Sequence, residues 1–263
     1  MAETMRAEPL EPLGDGPPVA YVPGIDGAGV MLFGTEARIV ERWRLHRFRY
    51  VGTRRVGAGL YPALADSIVA ALPPEPTILV AESFGGAVAL TAALRAPERV
   101  RALLLVNTFA RFPRRVRIRA GAALMPFVPH GLVALGRRLA APRLLIRPRR
   151  DAAAEEALAG MVPGIRSGGF PARMQAIRDL DLLPELGRVT APCALFASTH
   201  DRVVPSRRTM ADLARGLPDA TLETLDRAGH VVLPLAEEPW PERLDALAAR
   251  RPGGPDSGAR PSS

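Results

Sequence analysis

The chain has 263 residues, 48% of them hydrophobic and 24% charged, and carries a net charge of +8. That is the size and balance of one globular domain around a sizeable core, and it excludes a disordered or fibrous chain. Cys193 is the only cysteine, so no internal disulfide is possible and a reducing, cytoplasmic setting is expected.

Residues 1–16 are acidic and proline-containing with no apolar core, which argues against a signal peptide and predicts a disordered tail. A strand-like run follows at 18–23 (Val19-Ala20-Tyr21-Val22), and Pro23-Gly24-Ile25-Asp26-Gly27 comes directly after it. Glycines at 24, 27 and 29 let this loop approach a ligand closely. Their spacing is the reverse of the dinucleotide fingerprint, and no fitting acid follows about twenty residues later, so a nucleotide loop is rejected. Asp26 either reaches into a site or closes a turn.

Residues 30–41 and 60–72 suit helices, and 43–50, which contains His46, suits a strand. The next strand-like run, 76–82, ends in Ala81-Glu82-Ser83-Phe84-Gly85 and leads into an Ala- and Leu-rich helical stretch at 85–96. A serine between a strand and a helix, flanked by small residues, fits a turn too sharp for larger side chains nearby. Gly85 and Gly86 meet that need on one side and Ala81 on the other. The corner projects the Ser83 hydroxyl above the helix N-terminus, and Glu82 is expected to point away from the reacting face and support the corner.

A strand-like run at 101–107 precedes a long interval, 111–188, read as a helical cap inserted into a core of 17–110 and 189–250. Between Arg111 and Arg150 there are eleven arginines and no acid, more than the whole net charge, so the rest of the chain is net negative. They bracket Ala120 to Gly136, an uncharged stretch broken by Pro126 and Pro129 that is too short and interrupted to span a bilayer. Strand-like runs at 192–198 and 220–226 follow, with helical stretches at 206–216 and 236–250. Asp201 lies after the first of these runs and His230, in Ala228-Gly229-His230, after the second. From residue 251 the chain is rich in Pro, Gly and Ser and reads as a disordered tail.

Alternating strands and helices predict an α/β fold with a mostly parallel sheet of about six strands, helices on both faces and a helical cap. Only sixteen residues precede the first run, too few for an opening antiparallel pair. The order Ser83, Asp201, His230, each after a strand, resembles the α/β-hydrolase superfamily over roughly residues 17–250. Pro-Gly-Ile-Asp-Gly and Glu-Ser-Phe-Gly-Gly together are similar to the esterase, lipase and thioesterase part of phytyl ester synthases and related bacterial esterases. None of His46, His130, His200 and His230 has an Asp five positions later, so the acyltransferase motif of those synthases is lacking.

The resemblance implies a serine hydrolase of carboxylic esters or thioesters with apolar acyl groups. Ser83 is the expected nucleophile, His230 its base, and Asp201 the residue that holds the imidazole. The backbone N–H groups of Ile25 and Phe84 are the expected oxyanion donors. Acyl transfer, carbon–carbon bond hydrolysis and perhydrolysis would use the same residues, and a silent hydrolase-fold binding module would have lost one of them. No metal-ligand spacing occurs and no cofactor is expected. The basic interval lacks aromatic interleaving, which argues against nucleic acid; weak contact with an anionic membrane surface is the expected partner reading for the cap.

Overall fold

The apolar, β-branched runs of the sequence become the middle of a seven-stranded sheet. Its strands are β1 (Arg6–Pro9), β2 (Pro18–Val22), β3 (Arg44–Val51), β4 (Thr77–Glu82), β5 (Val100–Val106), β6 (Cys193–Ser198) and β7 (Ala220–Leu225). They lie side by side in the order β1-β3-β2-β4-β5-β6-β7, and every neighbouring pair is parallel except β1 with β3. The computed structural model describes residues 4–29, 32, 34–52, 59–113, 145–146, 152–160 and 169–250.

Strands buried on both faces need apolar side chains pointing both ways, and β2, β4 and β6 are buried at every position. Alternate residues accordingly serve two cores. Ala20 and Val22 pack with α2 (Leu60–Ala71), α3 (Phe84–Arg95) and α6 (Ser206–Gly216), whereas Val19 and Tyr21 pack with α1 (Glu36–Val40) and α7 (Trp240–Ala249). The cap interval contributes α4 (Ala152–Gly160) and α5 (Phe170–Asp179), and the second of these rests on the α2 side of the sheet. Ala120 to Gly136 and most of the arginine-rich stretch fall outside the described residues, as does the C-terminal tail. Among the described residues no helix is long and apolar enough to cross a membrane.

The six expected strands are present, and the expectation fails at the N-terminus. The supposed tail carries β1, which pairs antiparallel with β3 in the register Arg6 to Val51 through Pro9 to Phe48. Four residues suffice because burial anchors the strand: Met5 and Ala7 are sequestered in the core, and the Ala7 N–H donates to Ser67 Oγ at 2.8 Å. Leu13 also bridges to Leu45. Of the helix expected over 30–41, the described residues show α1. Because Met5 fills core space, Met5→Ala should cost about 2–4 kcal/mol. Removal of residues 1–9 should lower the urea midpoint; an unchanged midpoint would mean the segment is the tail that its composition suggests.

Candidate active site

All connections that matter for chemistry leave the sheet at the C-terminal ends of parallel strands, where open α/β sheets bind ligands. At the end of β4 the chain enters α3 through Ser83, whose φ of 58° and ψ of −125° lie in a region non-glycine residues rarely occupy. Such a conformation costs on the order of 1–3 kcal/mol and persists only where its surroundings impose it. The Ser83 N–H donates to Val106 O at 3.0 Å, extending the β4–β5 ladder, and Ser83 O accepts from Gly86 N and Thr108 Oγ1. A Cβ on Gly85 would lie 2.5 Å from Val22 O, and one on Gly86 would lie 2.2 Å from Thr108 Oγ1. The small residues of the sequence motif are therefore the ones the turn requires.

His230, on the loop after β7, places its ring between two other strand ends. Nε2 lies 3.0 Å from Ser83 Oγ, and Nδ1 lies 2.7 Å from Asp201 Oδ2. Asp201, in the turn after β6, also accepts from the N–H groups of Val203 and Val204 at 2.8 and 2.9 Å and from Ser206 Oγ. It thus closes a turn and orients the imidazole at once. Ser83, 147 positions from His230 in the sequence, and Asp201, 29 positions from it, join it in one hydrogen-bonded row.

Three side chains that fix this row carry little sequence signal. Asn107, at φ 48° just beyond β5, donates through Nδ2 to His230 O (2.7 Å) and Ser198 Oγ (2.8 Å), while its Oδ1 accepts from Ser198 N (2.8 Å). Asn at a strand end, where left-handed backbone is tolerated, was the one available hint. Glu82 does not merely support the corner from outside. It is buried, lines the same cavity as Ser83, and accepts from the Val232 N–H at 2.9 Å, which ties the His230 loop to β4. Thr209 Oγ1 donates to Thr108 O and so steadies the residue that braces the elbow.

On the other side of Ser83 lies the loop after β2. Gly24, Ile25 and Asp26 line a cavity of about 310 Å³ together with Ser83 and His230, and Phe109, Phe112, Phe170, Met174, Ile177 and Val204 give it apolar walls. The backbone N–H groups of Ile25 and Phe84 face no protein acceptor among the described residues. Asp26 is buried, with Oδ2 accepting from Ala28 N at 2.7 Å in a tight turn. Cys193 is buried in β6, where loss of solvation pushes its thiol up to about 12, so it fills core space. His46 is half-buried in β3, and His200 Nδ1 lies 2.8 Å from Thr199 Oγ1. Among the described residues no group of three or more His, Cys, Asp or Glu could hold a metal ion.

Residues 61–237 match the family described as serine aminopeptidase, S33. The chain belongs to this family of α/β-hydrolases. A pimeloyl-[acyl-carrier protein] methyl ester esterase of Chromobacterium violaceum is 32% identical over 84% of this chain and 90% of that protein. A protein of Azorhizobium caulinodans provisionally named carbamate hydrolase RutD is 28% identical over 88% of this chain and 91% of its own length. A crystal structure of a hydrolase from Pseudomonas aeruginosa superposes with a TM-score of 0.77 at 21% identity, covering 93% of this chain and 94% of that one. The fold is that of the α/β-hydrolases.

Charge in this hydrolase is arranged around the His230 ring. Burial favours the neutral imidazole, but the Asp201 carboxylate, by charge and by hydrogen bond, and Glu82 outweigh it and hold His230 above its ordinary 6.5. Asp201 is opposed by burial, yet His230 and the donors around it hold its carboxyl below the usual range. Glu82 is pushed up to about 7, chiefly by burial. The folded protein therefore keeps the Glu82 proton where the unfolded chain has released it, and this contribution to stability falls as pH rises from about 4.5 to about 7. In an NMR titration the His230 midpoint should lie above 6.5 and move down in both Asp201→Asn and Glu82→Gln. Glu82→Gln should also gain stability relative to the wild type between pH 5 and 7, and an unchanged difference would show that the carboxyl is not held protonated.

Proposed function

We propose that this hydrolase cleaves carboxylic esters or thioesters of apolar acyl groups through a covalent acyl-enzyme on Ser83. The observation that carries the reading is the imidazole of His230, hydrogen-bonded at once to Ser83 Oγ and Asp201 at the floor of an apolar cavity. A serine hydroxyl is a weak nucleophile at neutral pH and needs a base within hydrogen-bond reach. Ser83 Oγ attacks the carbonyl carbon while its proton passes to His230 Nε2, and Asp201 stabilises the imidazolium that forms. The oxygen of the tetrahedral intermediate turns toward the N–H groups of Ile25 and Phe84, the latter at the start of α3 where the helix dipole adds to its pull. His230 then protonates the departing alkoxide or thiolate. Water repeats the sequence: it gives one proton to His230 and adds its hydroxyl to the acyl carbon, the bond from that carbon to Ser83 Oγ breaks, and His230 returns the proton to Ser83.

The apolar walls support an acyl group without charge, and the volume accommodates a short or medium chain. The name of the Chromobacterium relative, a methyl ester esterase, agrees with ester chemistry, and a carbamate presents the same kind of carbonyl to the serine. The cytoplasm is the proposed location and an anionic membrane surface a weak partner of the basic cap, on the strength of composition and charge.

Ser83→Ala should abolish labelling by a fluorophosphonate and lower kcat on p-nitrophenyl butyrate by at least about 10⁴-fold with the fold intact. Near wild-type turnover would remove Ser83 from the mechanism. Because His230 must be neutral to accept a proton and its folded value is raised, kcat/KM should climb with pH along a limb centred above 6.5. A profile flat from pH 5 to 8, with chemistry limiting, would exclude His230 as the base.

A further inference from the structure

A donor N–H is useful to a developing oxyanion only when its peptide plane is fixed before the reaction begins. The Gly24–Ile25 peptide carries the Ile25 N–H, and its own carbonyl, Gly24 O, accepts from Gly27 N at 3.1 Å in a tight turn. With the carbonyl committed to the turn, the N–H of the same plane faces the opposite way. The planes on either side are held by longer-range contacts. Tyr50 Oη donates to Pro23 O at 2.8 Å on one side.

On the other side stands Arg173 of α5, whose residue surface is completely buried. Its Nε donates to Ile25 O at 2.6 Å and its Nη2 to Asp26 O at 3.1 Å, so one planar fork grips two successive carbonyls. Nη1 lies 3.9 Å from Met5 Sδ, and the guanidinium carbon stands 5.9 Å from the centre of the Tyr50 ring. Burying a guanidinium is costly unless its donors are satisfied and a counter-charge is near. Here the two carbonyls and the buried Asp26 carboxyl supply both.

The same helix lines the substrate cavity through Phe170, Met174 and Ile177. We propose that Arg173 is a positioning residue that fixes the Ile25 N–H for the oxyanion and so makes catalysis depend on how α5 is seated. This rests on the reading of Ser83 as nucleophile with Ile25 as an oxyanion donor. Arg173 itself touches no reacting atom. Its guanidinium is occupied by the loop carbonyls, so it orients the donor and leaves the acyl group to the apolar walls.

The test compares wild type with Arg173→Lys, which keeps the charge but cannot form the fork, and Arg173→Gln. Rates are expressed per active site titrated with a fluorophosphonate, so that misfolded protein does not count. On p-nitrophenyl butyrate kcat should fall about 10–100-fold with KM changed less than about twofold, below the 10²–10³ of losing a donor outright. Inhibition by an alkyl trifluoromethyl ketone, which forms a tetrahedral adduct with a serine, should weaken by the same factor as kcat/KM. Amide hydrogen exchange over residues 22–29 should accelerate in both variants. A kcat per titrated site within twofold of wild type, or a loss confined to KM, overturns the proposal. Exchange over 22–29 unchanged in the variants, when the probe labels the wild type, overturns it alone, whereas a wild type that the probe does not label overturns the Ser83 reading and the proposal with it. Arg173→Lys retains the buried charge and most of the volume, which keeps the test open where Arg173→Gln fails to fold.

Discussion

The backbone at Ser83 is the constraint on which the rest of the site depends. A residue with a side chain is held at positive φ between the central strand β4 and helix α3, and its neighbours leave no room for anything larger than glycine at 85 and 86. The elbow endures because the ladder to β5 continues through it and because Thr108 braces its carbonyl. From that corner the hydroxyl stands at the C-terminal edge of the sheet, where the loops after β2, β6 and β7 also end. A parallel sheet brings those four loops to one side.

Around the elbow the polar groups form a bedding more buried than the site they support. Asn107 and Glu82 hold the His230 loop by its backbone, at His230 O and Val232 N, and leave the ring free to face Ser83 and Asp201. Buried polar groups of this kind must be satisfied, because an unpaired donor or acceptor costs about 1–3 kcal/mol away from water. Their placement also sets charge. His230 lies among two carboxyl groups in a dry environment, so burial and attraction oppose one another, and attraction holds the imidazole above its ordinary value. Asp201 supplies the larger part of that attraction, by charge and by hydrogen bond, and Glu82 the smaller.

Much of this was legible in the chain before folding. Small residues about Ser83 between a strand-like and a helical run have a local steric cause, and so did the alternation of strands and helices that predicts the parallel sheet. The chain order of Ser83, Asp201 and His230 followed from the same runs. The short strand β1 was not legible, because its pairing depends on Met5 and Ala7 finding core space beside residues some forty to sixty positions away. Glu82 was legible as a support of the corner, but not as a buried residue lining the same cavity as Ser83. Its partner, the Val232 N–H, comes from 150 residues further on.

Arg173 shows the division most plainly. In the sequence it is one arginine among thirty-five cationic residues, in an interval notable chiefly for its charge. In the fold it is buried, and its fork grips Ile25 and Asp26, 148 and 147 residues away. The sequence by itself determined the periods, the breakers and the corner, since these arise from sterics and solvation within a few residues. Only the tertiary structure decided which polar groups would be shut away from water together. Such groups then have to find partners in whatever part of the chain the sheet has brought beside them, and the hydrogen-bonded row and its supports are the result.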